Sequence, residues 1–289
     1  KQIVENSKTG YDESALQSLV RIFENRMQYP RAAEFLKTLI EKHGDNENKS
    51  RAKQLSQIVD PWGTFEGTSI KPAGDQIELS FKFRNGELLQ LEAFALKHEL
   101  LINDVKAYLK SQPDKWDWDK AQLGDIGHQI VVQNQTRYRG KSVAKWTETL
   151  EPREEHLDRR VSINAPLKDA GAYLLIAKMK DGNTSRIVVW LDNMSIVQKP
   201  LDNKQWYYFA DTKTGEPIAN VTTQFFGYKV ESRQNKRPNI VVSEFADRCD
   251  ANGQLIIGEK LQDHNKNWLL TAKSRDGRVA HLGFDRIWH

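Results

Sequence analysis

Residues 188–228, VVWLDNMSIVQKPLDNKQWYYFADTKTGEPIANVTTQFFGY, decide how the rest of the chain is read. A strand, Ile187 to Leu191, runs into a short polar break, and a second apolar run, Trp206 to Ala210, follows it. The turn Asp211-Thr212-Lys213-Thr214-Gly215-Glu216-Pro217 then leads to a third strand, Ile218 to Tyr228, where Val221, Thr223 and Phe225 alternate with polar neighbours. Period-2 spacing of β-branched and aromatic residues, bounded by Gly, Pro and Asp, predicts strand, turn and strand. Gly215 suits a backbone position with positive φ, and Pro217 can open a strand because no ladder needs its missing N–H. These residues predict a β-sandwich seam and, by themselves, no chemistry.

Working outward, 289 residues are long for one hydrophobic core, so two or three domains are expected. A mean hydropathy of −0.68 fits a soluble protein, and no run of about 18 apolar residues predicts a transmembrane helix. The opening KQIVENSKTG has no apolar core of a signal peptide and starts at Lys1, which reads as an excised segment of a longer protein. The closing Ile287-Trp288-His289 is still apolar, so the parent is expected to continue. The net charge of +4 comes from 43 basic and 39 acidic residues. Its small excess lies near Arg233, Lys236 and Arg237, which is a solvated surface rather than a nucleic-acid footprint. The single Cys249 excludes an intrachain disulfide and any multi-cysteine metal site.

Taken in order, residues 1–60 read as helices. Leu16, Leu19, Val20 and Phe23 form one stripe; Ala33, Leu36 and Ile40 form a second behind Pro30; Ala52, Leu55 and Val59 form a third. Three short amphipathic helices predict a tetratricopeptide-like segment that docks on the next domain or continues a helical array. From Trp62 the period falls to 2. Ile77, Leu79, Phe81 and Phe83 alternate into Arg84-Asn85-Gly86-Glu87, a strong hairpin signal whose expected partner strand is Leu89, Leu91, Ala93 and Ala95. A helical insertion at 98–111, with Leu101, Val105 and Leu109 at i, i+4 and i+8, interrupts strands that resume at 129–132, 142–150 and 160–163 and in a pair around Asp181-Gly182. Residues 61–195 therefore predict one antiparallel β-sandwich of roughly seven strands. Residues 196–289, with turns at Thr214-Gly215, Asn252-Gly253 and Asp276-Gly277, predict a second. The fold class is mainly β: two immunoglobulin-like antiparallel β-sandwiches behind a short helical segment.

The passage 171–228, with Asp211, Thr214, Gly215, Pro217, Ile218 and Ala219 in a D-x-x-T-G-x-P-[IV]-A turn, resembles the N-terminal macroglobulin-type domains of bacterial α2-macroglobulin-like proteins. The Cys249-Asp250-Ala251-Asn252-Gly253 turn fits the same domain type. The resemblance spans about residues 60–289 as architecture and 171–258 as motif. It implies a scaffold portion of an exported protease trap, extracellular or periplasmic, lipid-anchored or free. Its implied partners are neighbouring domains of the same chain and the parent's target proteases. In members of this group a bait segment is cleaved by the target protease, the protein rearranges, and many members bind the protease covalently through a Cys-x-x-Gln thioester. Here Cys249 is followed by Asp250-Ala251-Asn252, so a thioester would lie outside this segment.

No catalytic, cofactor-binding or metal-ligating residue is singled out. The seven histidines form no H-x-x-x-H or H-E-x-x-H pair. Glu151, Glu154, Glu155 and Asp158 alternate with arginines and read as a self-paired surface loop rather than as general acid and base. G-x-S-x-G, Walker A and G-x-G-x-x-G are all missing, so the chain is not expected to be an enzyme. Trp116 and Trp118, one residue apart among Asp114, Asp117 and Asp119, are the best candidates for ligand contact, such as stacking on sugars. An edge plug beneath the helical insertion is the structural alternative for them. They keep a second reading open: a carbohydrate- or cell-wall-binding module of an exported protein.

Overall fold

A computed structural model describes residues 11–67, 69–115, 117, 120, 136–231 and 239–286. Trp116, Trp118, the strand expected at 129–132, and Arg233, Lys236 and Arg237 lie outside the described residues.

Helices α1 (Asp12–Asn25), α2 (Tyr29–His43) and α3 (Ser50–Val59) open the chain. Asp12 and Glu13 sit in the first turn of α1, where their charge favours the helix N-terminus, and Asp12 also meets His43 at 3.1 Å. Pro30 lies in the first turn of α2, and Gly44, at φ +70°, ends it. Leu16, Val20, Ala32, Ala33, Leu36, Leu39 and Ile58 form a small core, flanked by the stacked rings of Phe23 and Phe35 at 5.4 Å. In α3 the buried residue is Ile58, whereas Ala52 is exposed, so its inner face is rotated from the expected Ala52 stripe. The three helices supply a helix–turn–helix and one further helix; no second repeat occurs among the described residues.

The first sandwich pairs a three-stranded sheet, β1-β3-β6, with a five-stranded one, β2-β8-β7-β4-β5. Its strands are β1 (Trp62–Phe65), β2 (Ser69–Pro72), β3 (Ile77–Arg84), β4 (Leu88–Leu96), β5 (Arg139–Thr149), β6 (Arg159–Ala165), β7 (Gly171–Met179) and β8 (Thr184–Asp192). All pairings are antiparallel except β2 with β8, which is parallel at the sheet edge. The expected hairpin at Asn85-Gly86 does not form: β3 and β4 belong to opposite sheets. Asn85, at φ +57°, donates from its side chain to the Ile58 and Asp60 carbonyls, and a Cβ on Gly86 would fall 2.1 Å from the Met179 sulfur. The tight turn therefore folds over the sandwich end instead of returning beside β3. Phe81, Phe83, Ile77 and Leu79 from one sheet meet Leu89, Leu91, Leu175 and Val189 from the other, and all are at least 97% covered.

The second sandwich pairs the three-stranded sheet β13-β10-β9 with the four-stranded sheet β12-β11-β14-β15. Its strands are β9 (Met194–Leu201), β10 (Lys204–Asp211), β11 (Thr222–Glu231), β12 (Asn239–Arg248), β13 (Gln254–Gly258), β14 (Asn267–Lys273) and β15 (Val279–Arg286). The stretch expected as a polar break after Leu191 is strand β9, paired along its whole length with β10. Met194 is fully buried there, and the exposed polar residues of its outer face mask the alternation in the sequence. Trp268 fills the centre among Tyr207, Phe209, Phe225 and Leu270. Gly227 permits this, because a Cβ there would sit 2.7 Å from the indole ring.

Candidate functional site: the junction between the two sandwiches

The expected helical insertion is α4 (His98–Lys110), and its Leu101, Ile102, Val105 and Leu109 are buried. They are buried from two sides. Ala172, Leu174, Ile176 and Val188, on the outer face of the five-stranded sheet, meet them from the first sandwich, and Phe226, Tyr228, Ile240 and Leu269 meet them from the second. This explains β7, whose GAYLLIA run is apolar without alternation: one face lines the first core and the other lies under α4. The C-terminal end of the wedge is tied to the second sandwich. Lys110 pairs with Glu244 at 2.8 Å, and the Gln112 amide both accepts from the Ile240 N–H and donates to the Ile240 carbonyl.

The D-x-x-T-G-x-P turn forms the other half of the junction. Asp211 Oδ1 accepts the N–H groups of Lys213 and Thr214, each at 3.0 Å, and the Thr214 hydroxyl. These bonds, the Thr214 N–H first, hold the Asp211 carboxyl below the usual carboxylate range, with Arg278 adding to them. Gly215 takes φ +74° and donates its N–H to the Asp211 carbonyl, as the turn requires. Lys213 leaves this turn to reach Asp75 of the first sandwich at 2.6 Å. Arg278 Nη1 reaches Asp211 Oδ2 at 2.8 Å and the carbonyl of Asn193, where the chain passes between sandwiches, at 3.3 Å.

Between α4 and the four-stranded sheet the junction leaves a cleft of about 550 Å3, lined by His98, Lys106, Arg248, Lys273, Arg275 and His281 among others. Trp190 of β8 packs on His98 at 5.6 Å and on His281 at 4.4 Å, one ring between the two imidazoles. Burial, and next the neighbouring His98, push the His281 pKa down to about 4. Burial alone pushes Asp192, at the end of β8, up to about 6.

The helical segment docks through a separate contact, at Arg84 (8% exposed). Its guanidinium meets Asp158 at 2.7 Å, donates to the Gln57 carbonyl of α3 at 3.2 Å, and lies 4.3 Å over the Tyr29 ring of α2. Asp158 thus leaves the expected self-paired acidic loop and serves the docking contact, whereas Glu151 pairs locally with Arg159 as that reading had it. Cys249 is buried, accepts the Val221 N–H and donates to the Ile218 carbonyl. Burial pushes its thiol pKa up, which suits a core group. Among the described residues, no three His, Cys, Asp or Glu side chains come together as a metal site, and no helix is long and apolar enough to cross a membrane. Sequence reasoning missed the contacts of Arg84, Lys213 and Arg278. Their one legible signal was the motif turn itself, since a cation and its partner carboxylate here lie 67 to 138 positions apart.

No family model matches the sequence, and no curated protein matches it. Solved structures do. The crystal structure of native alpha-2-macroglobulin from Escherichia coli spanning domains MG0-NIE-MG1 superposes with a TM-score of 0.51 at 15% identity, covering 78% of this chain and 65% of that one. A shorter crystal structure of the same protein, spanning NIE-MG1, gives 0.47 at 16% identity over 78% and 97% of the two chains. The cryo-EM reconstruction of its native conformation gives 0.40 at 15% identity over 78% and 13%. This chain spans 65% of the first structure's length and 13% of the last. The likeness is one of fold: the chain has the β-sandwich architecture of an MG-domain segment of bacterial alpha-2-macroglobulin.

Proposed function

We propose that this chain is a non-catalytic scaffold portion of an exported, bacterial α2-macroglobulin-like protease trap, in which bait cleavage and protease capture take place elsewhere in the parent. The observation that carries this reading is the superposition on the native MG0-NIE-MG1 segment at a TM-score of 0.51. The junction supports it. Two sandwiches joined by an apolar wedge, a charged turn and an arginine that holds the linker carbonyl suit a rigid arm that transmits a rearrangement without bending. Cys249, buried and hydrogen-bonded in a core, suits packing rather than thioester chemistry. The partners of such a segment are the neighbouring domains of its own chain, and the target proteases belong to the parent.

Limited proteolysis of the full-length parent with several unrelated proteases tests this, followed by native-gel mobility and a protease-retention assay. Cleavage at one short segment outside residues 1–289, with compaction and retained protease, is the expected result. Scattered cuts at interdomain linkers with no protease retained would sink the reading.

A further inference from the structure

α4 covers only part of the outer face of the sheet β12-β11-β14-β15, and the registers order that face in rows. Phe226 and Leu269 are paired under the helix. In the next row outward, Gln224 stands between Ala246 and Thr271, with His281 beyond. In the outermost row Thr222 stands between Arg248 and Lys273. Residues in register share a face, so Arg248 and Lys273 rise from the cleft floor two strand spacings, about 10 Å, apart. Arg275 from the β14–β15 turn and Lys106 from the third turn of α4 join them in the lining, where Glu99 is the single carboxylate among the described residues. Of the neighbouring carboxylates, Glu244 pairs with Lys110 and also faces Lys106, and Asp276 pairs with Arg278. Among the described residues, Arg248, Lys273 and Arg275 make no ion pair within the chain.

We infer that this cleft binds an extended acidic peptide segment laid across the strands. Four cations against one carboxylate select an anion. Their separation selects its type. A single phosphate needs donors converging on one point, whereas acidic side chains on one side of an extended segment stand about 7 Å apart, within reach of two long cationic side chains spaced at about 10 Å. Ile102 and Val279 give the methylene stems of glutamates an apolar wall. β11 and β14 are inner strands whose backbone groups are already paired, so recognition runs through side chains and not by adding a strand.

The test titrates the whole chain into a fluorescently labelled, blocked hexapeptide alternating Glu with Val, followed by anisotropy at about 50 mM salt. Saturable binding is expected, weakening about tenfold or more in Lys273→Glu and in Arg248→Glu, and again on raising salt to about 300 mM. Lys199→Glu, exposed on the opposite sheet, should bind as the wild type does. All three positions are exposed, and near-ultraviolet circular dichroism checks that each variant is folded. Absence of saturable binding by the wild type, or unchanged binding by Lys273→Glu, would overturn the inference. So would displacement of the peptide by inorganic phosphate at a concentration similar to its own dissociation constant, which would mark a point-anion site.

Discussion

Arg278 and Asp211 lie 67 positions apart and meet at 2.8 Å, and the same guanidinium nitrogen also holds the carbonyl of Asn193, the residue between the sandwiches. Two further nitrogens of that guanidinium reach Asp276 at 2.8 Å, so one planar fork fixes the motif turn, the linker and its own hairpin together. A guanidinium can do this and an ammonium cannot, because the fork supplies several donors in fixed directions. Arg278→Ala should free the linker and lower the melting temperature of the single unfolding transition by roughly 2–4 °C. Arg278→Lys should recover less than half of that loss. Protease cutting at residues 192–194 should rise in both, and equal resistance of all three proteins would remove the linker role.

The sandwiches should unfold as one unit while α4 is intact. Leu109 is fully buried between them, so Leu109→Ala leaves a cavity on the seam and should cost about 2–5 kcal/mol. Scanning calorimetry should then resolve two transitions where the wild type gives one. A lowered but still single transition would show that the charged turn alone couples the domains.

Legibility followed the range of the interaction. The stripe of Leu101, Val105 and Leu109 and the alternation in β3 are local periodicities, and both elements stand where the sequence puts them. The partner of β3 was not legible. Asn-Gly favours a tight hairpin on local grounds, but Asn85 is taken up by the α3 carbonyls and Gly86 by Met179, both remote in sequence. The apolar run of β7 did carry a readable sign, a second covered face, without naming what covers it. The charged half of the junction left no sign beyond the turn motif, because ion pairs across 67 to 138 positions obey no spacing rule.

His281 and Asp192 give the junction two opposing responses to acid. His281 is pushed down to about 4 when folded, against 6.5 for the free side chain, so between those values only the unfolded chain binds the proton and stability is lost as pH falls. Asp192 titrates at about 6 when folded, against 3.8, so the folded chain binds first and stability rises as pH falls through that window. The two largely offset each other in the wild type. Relative to it, His281→Gln should become more stable as pH drops from about 6.5 to about 4, by up to about 3 kcal/mol. Asp192→Asn should be the more stable protein at pH about 7.5 and lose that advantage below about 4. Denaturant midpoints across this range check both, and parallel pH profiles for the three proteins would contradict the assignment.

The helical segment hangs on Arg84. Its guanidinium is nearly covered, neutralised by Asp158, and stacked on Tyr29, so docking joins one ion pair, one backbone carbonyl and one ring face. Removing the arginine leaves the Asp158 carboxylate, among the described residues, paired with Lys82 at 2.9 Å, and strips the Tyr29 ring of its cation. Arg84→Ala should cost about 3 kcal/mol, the lower end for breaking a covered pair, since Asp158 is still partly wet. The loss should fall on docking and not on the sandwich core, whose Phe81 and Phe83 face the other way. Hydrogen exchange should therefore quicken in α1–α3 while β3, β7 and β8 keep their protection. Arg84→Lys should rescue little, because an ammonium cannot hold Asp158 and the Gln57 carbonyl while lying flat on Tyr29. Quickened exchange in β3 to the same degree would show instead that Arg84 supports the sandwich itself.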